Sequence, residues 1–368
     1  MLFQINKEWL KKGISKLKNT LAKDSPNPVT KHYLFDIKNK VLTIKSTNNA
    51  LSSIWVTPLD CEKDMAFTIP GDIFTSLLTT LENDIVFFEY FPESKDVKIS
   101  CGKYSWDASS GTIEDFPRVE IPNDLEEIKL PSNFHELLKS VSFSISGDMT
   151  KIDLSSMCID INKDKLGQIN LLSTDRTRLS CATMFLDIPK KEHFQFIIPK
   201  SSLSEIMKFE PTKLMYDKDL RKAYFYEEDP SGTYVLQTVL ANAVYPDIYT
   251  YLNGTFGSDA ESIKLQKSDL IRALKRTLIT SDRSIGKFTF TKGNLTISTL
   301  NEINTSKSKE YLEAGYTGDA EISFKINVNF LLDYLSQETL DVISFKLINN
   351  KCLIFDKENY RHVLSVNN

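Results

Sequence analysis

The sequence predicts an α+β fold assembled from three copies of one module. Apolar residues recur at helical spacing in six places, in helices that begin near residues 7, 70, 131, 199, 267 and 327. Each helix is flanked by short β-rich runs bounded by Asn, Asp, Gly or Pro. The second helix of each unit returns after a nearly constant step of about 128 residues, the mark of an internal repeat. A chain of 368 residues has room for two or three such domains.

The first unit opens with a strand over 2–5. A helix over 7–21 follows, with Leu10, Ile14, Leu17 and Leu21 on one stripe and Lys12, Lys16, Asn19 and Lys23 opposite. Pro26 and Pro28 end it. Strands are expected at 33–37, 41–46 and 54–58. Pro70 suits the start of the next helix, 71–81, and strands at 85–90, 97–100 and 104–108 close the unit. In the second unit a helix from Pro131 to near 141 turns Phe134, Leu137, Leu138 and Val141 inward and Glu136 and Lys139 outward. Strands at 151–161 and 167–173 lead into a hairpin. A helix from 199 to near 209 buries Leu203, Ile206 and Met207 and presents Lys208; strands at 213–216, 222–226 and 234–239 follow. In the third, a helix from 267 to near 279 carries Leu270, Leu274 and Leu278 against Arg272 and Arg276. Strands at 287–290, 295–299 and 311–316, a helix over 327–335, strands at 342–347 and 352–355 and a tail complete the chain. Linkers expected at 117–124 and 252–260 divide it into domains 1–122, 123–255 and 256–368.

Five scattered cysteines without a C-x-x-C pair, and four dispersed histidines, argue against disulfides and a metal site. There is no Gly-rich phosphate loop, nucleophile elbow or convincing Ser–His–Asp set, so neither an enzyme nor a bound cofactor is expected. No apolar run reaches membrane-spanning length, and the N-terminal residues lack the order of a signal peptide; the expected location is the cytoplasm. The net charge of −4 excludes nucleic-acid attraction by bulk charge and leaves only a local basic surface.

The stretch from Leu171 to Met184 breaks at Thr174-Asp175 and sets Arg178 beside Leu179 at the start of the next strand. It reads either as the rim of a shallow peptide pocket or as an ordinary hairpin with solvated arginines.

Several motifs together resemble the bacterial β sliding clamp family of replicative DNA polymerase. They are Thr68-Ile-Pro-Gly-Asp-Ile-Phe-Thr-Ser-Leu-Leu, Asp115-Phe-Pro117, Ser173-Thr-Asp-Arg-Thr-Arg-Leu179, Tyr245-Pro-Asp-Ile-Tyr249, Tyr316-Thr-Gly-Asp and Phe330-Leu-Leu-Asp-Tyr-Leu335. They lie in the family's order and cover nearly the whole chain. The resemblance implies three DNA-clamp domains with helices inside and antiparallel sheets outside, closed as a head-to-tail homodimer around duplex DNA. It implies a processivity factor that tethers the replicative polymerase, meets a clamp loader and other clamp-binding proteins, and works at the nucleoid without a membrane. The alternative is a clamp-fold peptide-binding protein that does not encircle DNA.

On that reading the DNA-facing donors are Lys12, Lys16, Lys23, Lys139, Lys208, Arg272 and Arg276, opposite the apolar stripes. The resemblance places the dimer joint at Ile73, Phe74, Trp106, Ala108, Leu278 and Ile279. The family's charge pairs across it are largely missing from Ser100, Lys103, Ser105 and the 304–309 segment, which implies an apolar joint. The peptide groove maps to Leu154, Thr174, Arg176, Thr177, Arg178, Leu179, Pro246, Thr250 and Tyr251. It continues through Asn327, Phe330, Cys352, Val363, Leu364, Ser365 and Val366, with Leu154, Leu179 and Val363 as an apolar floor. The family's Gly-His is Arg176-Thr177 here, and its closing Met-Pro-Met-Arg-Leu is replaced by Ser365-Val-Asn-Asn368, so an altered peptide preference is expected, as in a clamp carried by a mobile element.

Overall fold

The computed structural model describes residues 2–122, 125–188, 192–219, 221–255, 262–281, 283–300, 307–349 and 351–367. Every repeat has the order strand, helix, four strands, helix, three strands. The first holds β1 (Leu2–Asn6), α1 (Lys7–Leu17), β2 (His32–Lys38), β3 (Val41–Thr47), β4 (Leu51–Pro58), β5 (Met65–Pro70), α2 (Gly71–Thr80), β6 (Ile85–Phe91), β7 (Asp96–Cys101) and β8 (Tyr104–Ser109). The second holds β9 (Glu126–Lys129), α3 (Phe134–Ser142), β10 (Ser156–Ile161), β11 (Gln168–Thr174), β12 (Arg178–Phe185), β13 (Phe194–Pro199), α4 (Lys200–Ile206), β14 (Lys213–Asp217), β15 (Lys222–Asp229) and β16 (Gly232–Val239). A short helix α5 (Tyr249–Thr255) precedes the third, which holds β17 (Ser262–Gln266), α6 (Lys267–Thr280), β18 (Ile285–Thr291), β19 (Asn294–Leu300), β20 (Lys307–Glu313), β21 (Ile322–Asn327), α7 (Val328–Gln337), β22 (Val342–Ile348), β23 (Cys352–Lys357) and β24 (Tyr360–Ser365).

Four expectations shift. The first helix stops at Leu17 and tightens into a 3₁₀ turn, because the buried Thr20 hydroxyl reaches back to the Leu17 carbonyl at 2.9 Å. The strand expected from 151 starts only at Ser156, since the Ser155 N–H closes a turn onto the Lys151 carbonyl at 2.8 Å. The strand expected over 311–316 lies earlier, at Lys307–Glu313. The expected tail contains β24, a full strand. Residues 123–124 and 256–260 of the linkers, and 304–306 of the joint segment, lie outside the described residues.

The chain forms two compact units. In the first (Met1–His135 with Ser201–Leu240) the sheets run β1-β6-β7-β8 and β5-β2-β3-β4-β16-β15-β14-β9. Its core is aromatic: Phe3 stacks on Phe88 at 4.7 Å, Phe35 on Phe67 at 5.2 Å, and Phe74 meets Phe35 edge-on at 5.8 Å. Helix α1 buries Leu10, Ile14 and Leu17. Gly13 lets it approach β4, where an added Cβ would stand 2.4 Å from the Trp55 ring.

In the second unit (Glu136–Lys200 with Ala241–Asn368) the sheets run β13-β10-β11-β12-β24-β23-β22-β17 and β20-β19-β18-β21. Leu270 and Leu274 of α6 and Leu331 and Leu335 of α7 pack there with Phe288, Phe290, Phe324 and Phe345.

The repeats therefore meet at equivalent strands. The fourth strand of one pairs antiparallel with the last strand of the next: β4 with β16, and β12 with β24. The corresponding strands at the two chain ends, β8 and β20, each lie at the edge of a four-stranded sheet.

Candidate functional site

A cavity of about 230 Å³ opens over the β12–β24 joint. Its floor is the directly paired Leu179 and Val363, 5% and 2% exposed. One wall is the turn from Thr174 through Thr177; the other is the segment before and within α5, with Pro246, Asp247, Ile248 and Tyr251. That segment folds back because Asp247 accepts the Tyr249 N–H at 3.1 Å and the Thr250 hydroxyl at 2.7 Å, an N-cap. It is anchored from below: the Tyr245 hydroxyl donates to the Leu172 carbonyl at 3.1 Å, and the Tyr249 hydroxyl to the buried Asp160 carboxylate at 2.9 Å. Burial and then the Asp160 charge push the Tyr249 phenol well up, so it stays a donor.

The turn is pinned as firmly. Asp175 accepts the backbone N–H groups of Thr177 and Arg178, both at 2.9 Å, and the Thr174 hydroxyl donates to the Arg178 carbonyl at 2.8 Å. Arg178 is itself buried, bonded to Asp175 at 3.0 Å and Asp333 at 2.5 Å. Its guanidinium centre lies 4.3 Å from the Phe330 ring centroid and 5.8 Å from that of Phe143. The same structure holds His362, whose Nδ1 lies 2.9 Å from the Ser180 hydroxyl and whose ring stacks at 5.1 Å on Tyr334. Complete burial, with Arg178 nearby, pushes the imidazole down to about 3.

Of the groove residues expected from sequence, Thr174, Arg176, Thr177, Arg178, Leu179, Pro246, Tyr251, Val363 and Ser365 come together at this cavity. Cys352 lies beneath it in the same apolar cluster. Phe330 acts through Arg178, and Asn327 caps α7 by accepting the Asn329 N–H at 3.0 Å. Strand alternation turns Leu364 and Val366 to the opposite face, into the core with Leu353 and Phe355. Leu154 is buried in the turn before β10, and Thr250 is spent on Asp247; neither is among the lining residues. Asp247 and Ile248 line the cavity but were not assigned, although they sit inside the quoted Tyr245–Tyr249 motif.

The helix cations are less free than their spacing implies. Lys12 pairs with Asp229 at 2.8 Å and Lys16 with Glu227 at 2.9 Å. Lys208 pairs with Glu205 at 2.6 Å, Arg272 with Asp269, and Arg276 bidentately with Glu310 at 2.7 and 2.6 Å. Burial would raise the Asp229 carboxyl, but Lys12, Ser231 and Lys16 outweigh it and hold it well below the usual range. Lys23 and Lys139 are exposed with no ion pair among the described residues, as are Lys11 and Lys275, which spacing did not single out. At the expected joint, Ile73 and Ile279 are exposed and Trp106 is half-buried on β8. Phe74 and Ala108 are both buried, Phe74 inside the aromatic core and Ala108 on the edge strand β8. Leu278 is partly buried against the core of the second unit.

A twice-joined series of two-sheet modules, with helices carrying cations and an apolar cavity at a joint, defines a modular binding scaffold. Family models of the DNA polymerase III beta subunit match it in sequence: the N-terminal domain over residues 1–120, the central domain over 129–247 and the C-terminal domain over 258–364. The beta sliding clamp of Chlamydia muridarum is 24% identical over 352 residues, 93% of this chain and 92% of that protein. The structure of the DNA polymerase III subunit beta from Pseudomonas aeruginosa matches with a TM-score of 0.88 at 18% identity, covering 100% and 99% of the two chains. That of the Helicobacter pylori beta clamp bound to a DNA ligase peptide matches with a TM-score of 0.84 at 18% identity, over 100% of both. The chain belongs to the DNA polymerase III beta subunit family, the bacterial beta sliding clamps, which are non-catalytic processivity factors of DNA replication.

Proposed function

We infer that two copies of this chain close head to tail around duplex DNA, and that the cavity at the β12–β24 joint captures short linear peptides of replication proteins. The unmatched edges carry this reading. Wherever two repeats are consecutive, the fourth strand of one pairs with the last strand of the next. β20 and β8 are the same two positions left over, so β20 of one protomer and β8 of its partner complete the series. Two such heterologous contacts close a two-fold ring of six domains, cut at 1–122, 123–255 and 256–368. Exposed Ile73 and Tyr104 lie on one side of that contact, Ile279 and Tyr311 on the other.

Enclosure, rather than tight binding, then holds the duplex. Lysine and arginine contacts to phosphate are independent of sequence and sensitive to salt, which permits sliding. Base-edge readout would create sticking points. The partners are a clamp loader, the replicative polymerase and other proteins bearing a clamp-binding peptide, in the cytoplasm at the nucleoid. The peptide's aromatic or leucine anchor sits on Leu179 and Val363. The ligase peptide bound to the Helicobacter relative supports this class of partner. The test is retention: protein loaded on nicked circular DNA should stay until the circle is cut and then run off. Equal retention on circles and lines would reject enclosure.

A further inference from the structure

Three charged groups face the cavity, and only one is available to a ligand. Arg178 is closed off by Asp175 and Asp333. Asp247 is spent on the N-terminus of α5. Arg176 stands at the mouth with its side chain 71% exposed; its nearest carboxylate among the described residues is Asp153, at 4.0 Å. Its root is fixed, since its N–H donates to the Thr174 hydroxyl at 3.0 Å within the pinned turn. It is also costly to keep. The backbone there has φ +75°, the left-handed region that favours glycine, so an arginine stands where glycine would be unstrained. Strain retained at the rim of a binding cavity points to a use for the side chain.

Resting on the peptide-groove reading above, we propose that Arg176 selects peptides carrying a carboxylate next to the apolar anchor. The anchor fills the Leu179–Val363 floor, and the aspartate or glutamate beside it takes the guanidinium from its loose contact with Asp153. The pair forms at the solvent-exposed mouth, so its contribution is modest and screened by salt. It nevertheless sets preference, because the rim offers no other free cation among the described residues.

The test uses the full-length protein and two synthetic ten-residue peptides with the same leucine–phenylalanine anchor, preceded by aspartate in one and asparagine in the other. Fluorescence anisotropy at low salt should show the aspartate peptide binding about five-fold tighter. The preference should shrink toward unity at about 0.5 M salt, and vanish in Arg176→Gln, which should bind the two peptides equally. Arg176→Gly should likewise abolish the preference while melting no lower than the parent, which separates loss of charge from loss of fold. Equal binding of both peptides by the parent protein overturns the selection and leaves the groove intact. Binding of neither overturns the groove and the selection with it.

Discussion

The two joints inside the chain are built alike and finished differently. At β4–β16, Ile54 faces Val235 across the register; at β12–β24, Leu179 faces Val363. Each pair is covered by the linker that follows a repeat. At the first joint Phe116 and Val119 are buried over the pair, with Ile113 and Ile121 packed beside them. At the second, Tyr245, Ile248 and Leu252 cover the cluster but leave the cavity over Leu179 and Val363. On the proposed reading, the peptide groove is a strand joint whose own linker stops short of filling it. Foreign apolar side chains then do what Phe116 and Val119 do at the first joint, and about 25 cal/mol per Å² of buried apolar surface favours their entry. The proposed third joint goes further: β8 pairs only with β7 and β20 only with β19 in the chain, so each keeps one open edge that a second copy would take.

Breaking that third joint gives the largest expected effect. Ile279 is 83% exposed at the end of α6. Ile279→Asp should convert a dimer of twice 42.0 kDa into monomers in sedimentation and abolish retention on circular DNA. The melting temperature of the monomer should barely move, because a substitution at an exposed site costs no more than about 0.5 kcal/mol. Leu278→Asp is the poorer probe, since Leu278 packs against the core and its loss would confuse unfolding with dissociation. An unchanged sedimentation coefficient for Ile279→Asp would remove the end of α6 from the joint.

The second joint can be broken at its floor. Leu179→Ala should weaken binding of an apolar-anchored peptide by at least ten-fold, the scale of a buried anchor contact. The fold should survive with a loss of about 2–3 kcal/mol, read by denaturant titration. Ile54→Ala at the first joint should cost similar stability and leave peptide affinity unchanged. Equal effects of the two on peptide binding would contradict the assignment of the groove to one joint.

The joints also differ in what titrates. Ser180 and His362 face each other at β12–β24, whereas no pair in the β4–β16 register contains a histidine. His362 takes its proton near 6.5 in the unfolded chain and only near 3 in the folded one. Between those values the unfolded state binds more protons. Stability present above pH 6.5 is therefore lost as pH falls toward 3, at up to about 1.4 kcal/mol per pH unit from this group. His362→Gln should flatten that part of the stability–pH curve; an unaltered slope would show that other groups govern it.

The repeat was legible because each helix carries its apolar stripe at full strength and helix lengths follow from it; six helices and nearly all strands lie where periodicity puts them. Helix α5 was not, since Asn253-Gly254 reads as a linker and its start depends on a cap by Asp247. β24 was not, because His362 and Arg361 interrupt its apolar pattern; only pairing to β12 and β23 shows it to be a strand. Within the groove, strand parity separates Val363 and Ser365 from Leu364 and Val366, and parity is invisible in a segment read as a tail. Spacing on a helix locates a cation but not its partner, so the carboxylates of β15 and β20 could not be anticipated from α1 and α6.

Those carboxylates give the smallest and most specific expectation. Asp229 of β15 holds Lys12 at 2.8 Å and Lys16 at 3.5 Å, and accepts the Ser231 N–H at 2.7 Å, so it is fixed in place. A phosphate approaching α1 must compete with it. Each phosphate contact adds about one unit to the slope of log affinity against log salt. Asp229→Asn would release Lys12 to the duplex, steepening that slope by up to about one unit and strengthening weak DNA binding at low salt. Glu310→Gln should act the same way through Arg276, which is held only by that carboxylate among the described residues. Sliding should slow as the contacts strengthen, because the internal carboxylates keep the cations from holding any one phosphate. If both variants leave the salt slope and the diffusion along DNA unchanged, Lys12 and Arg276 do not face the duplex, and the burden falls on the unpaired Lys23 and Lys139.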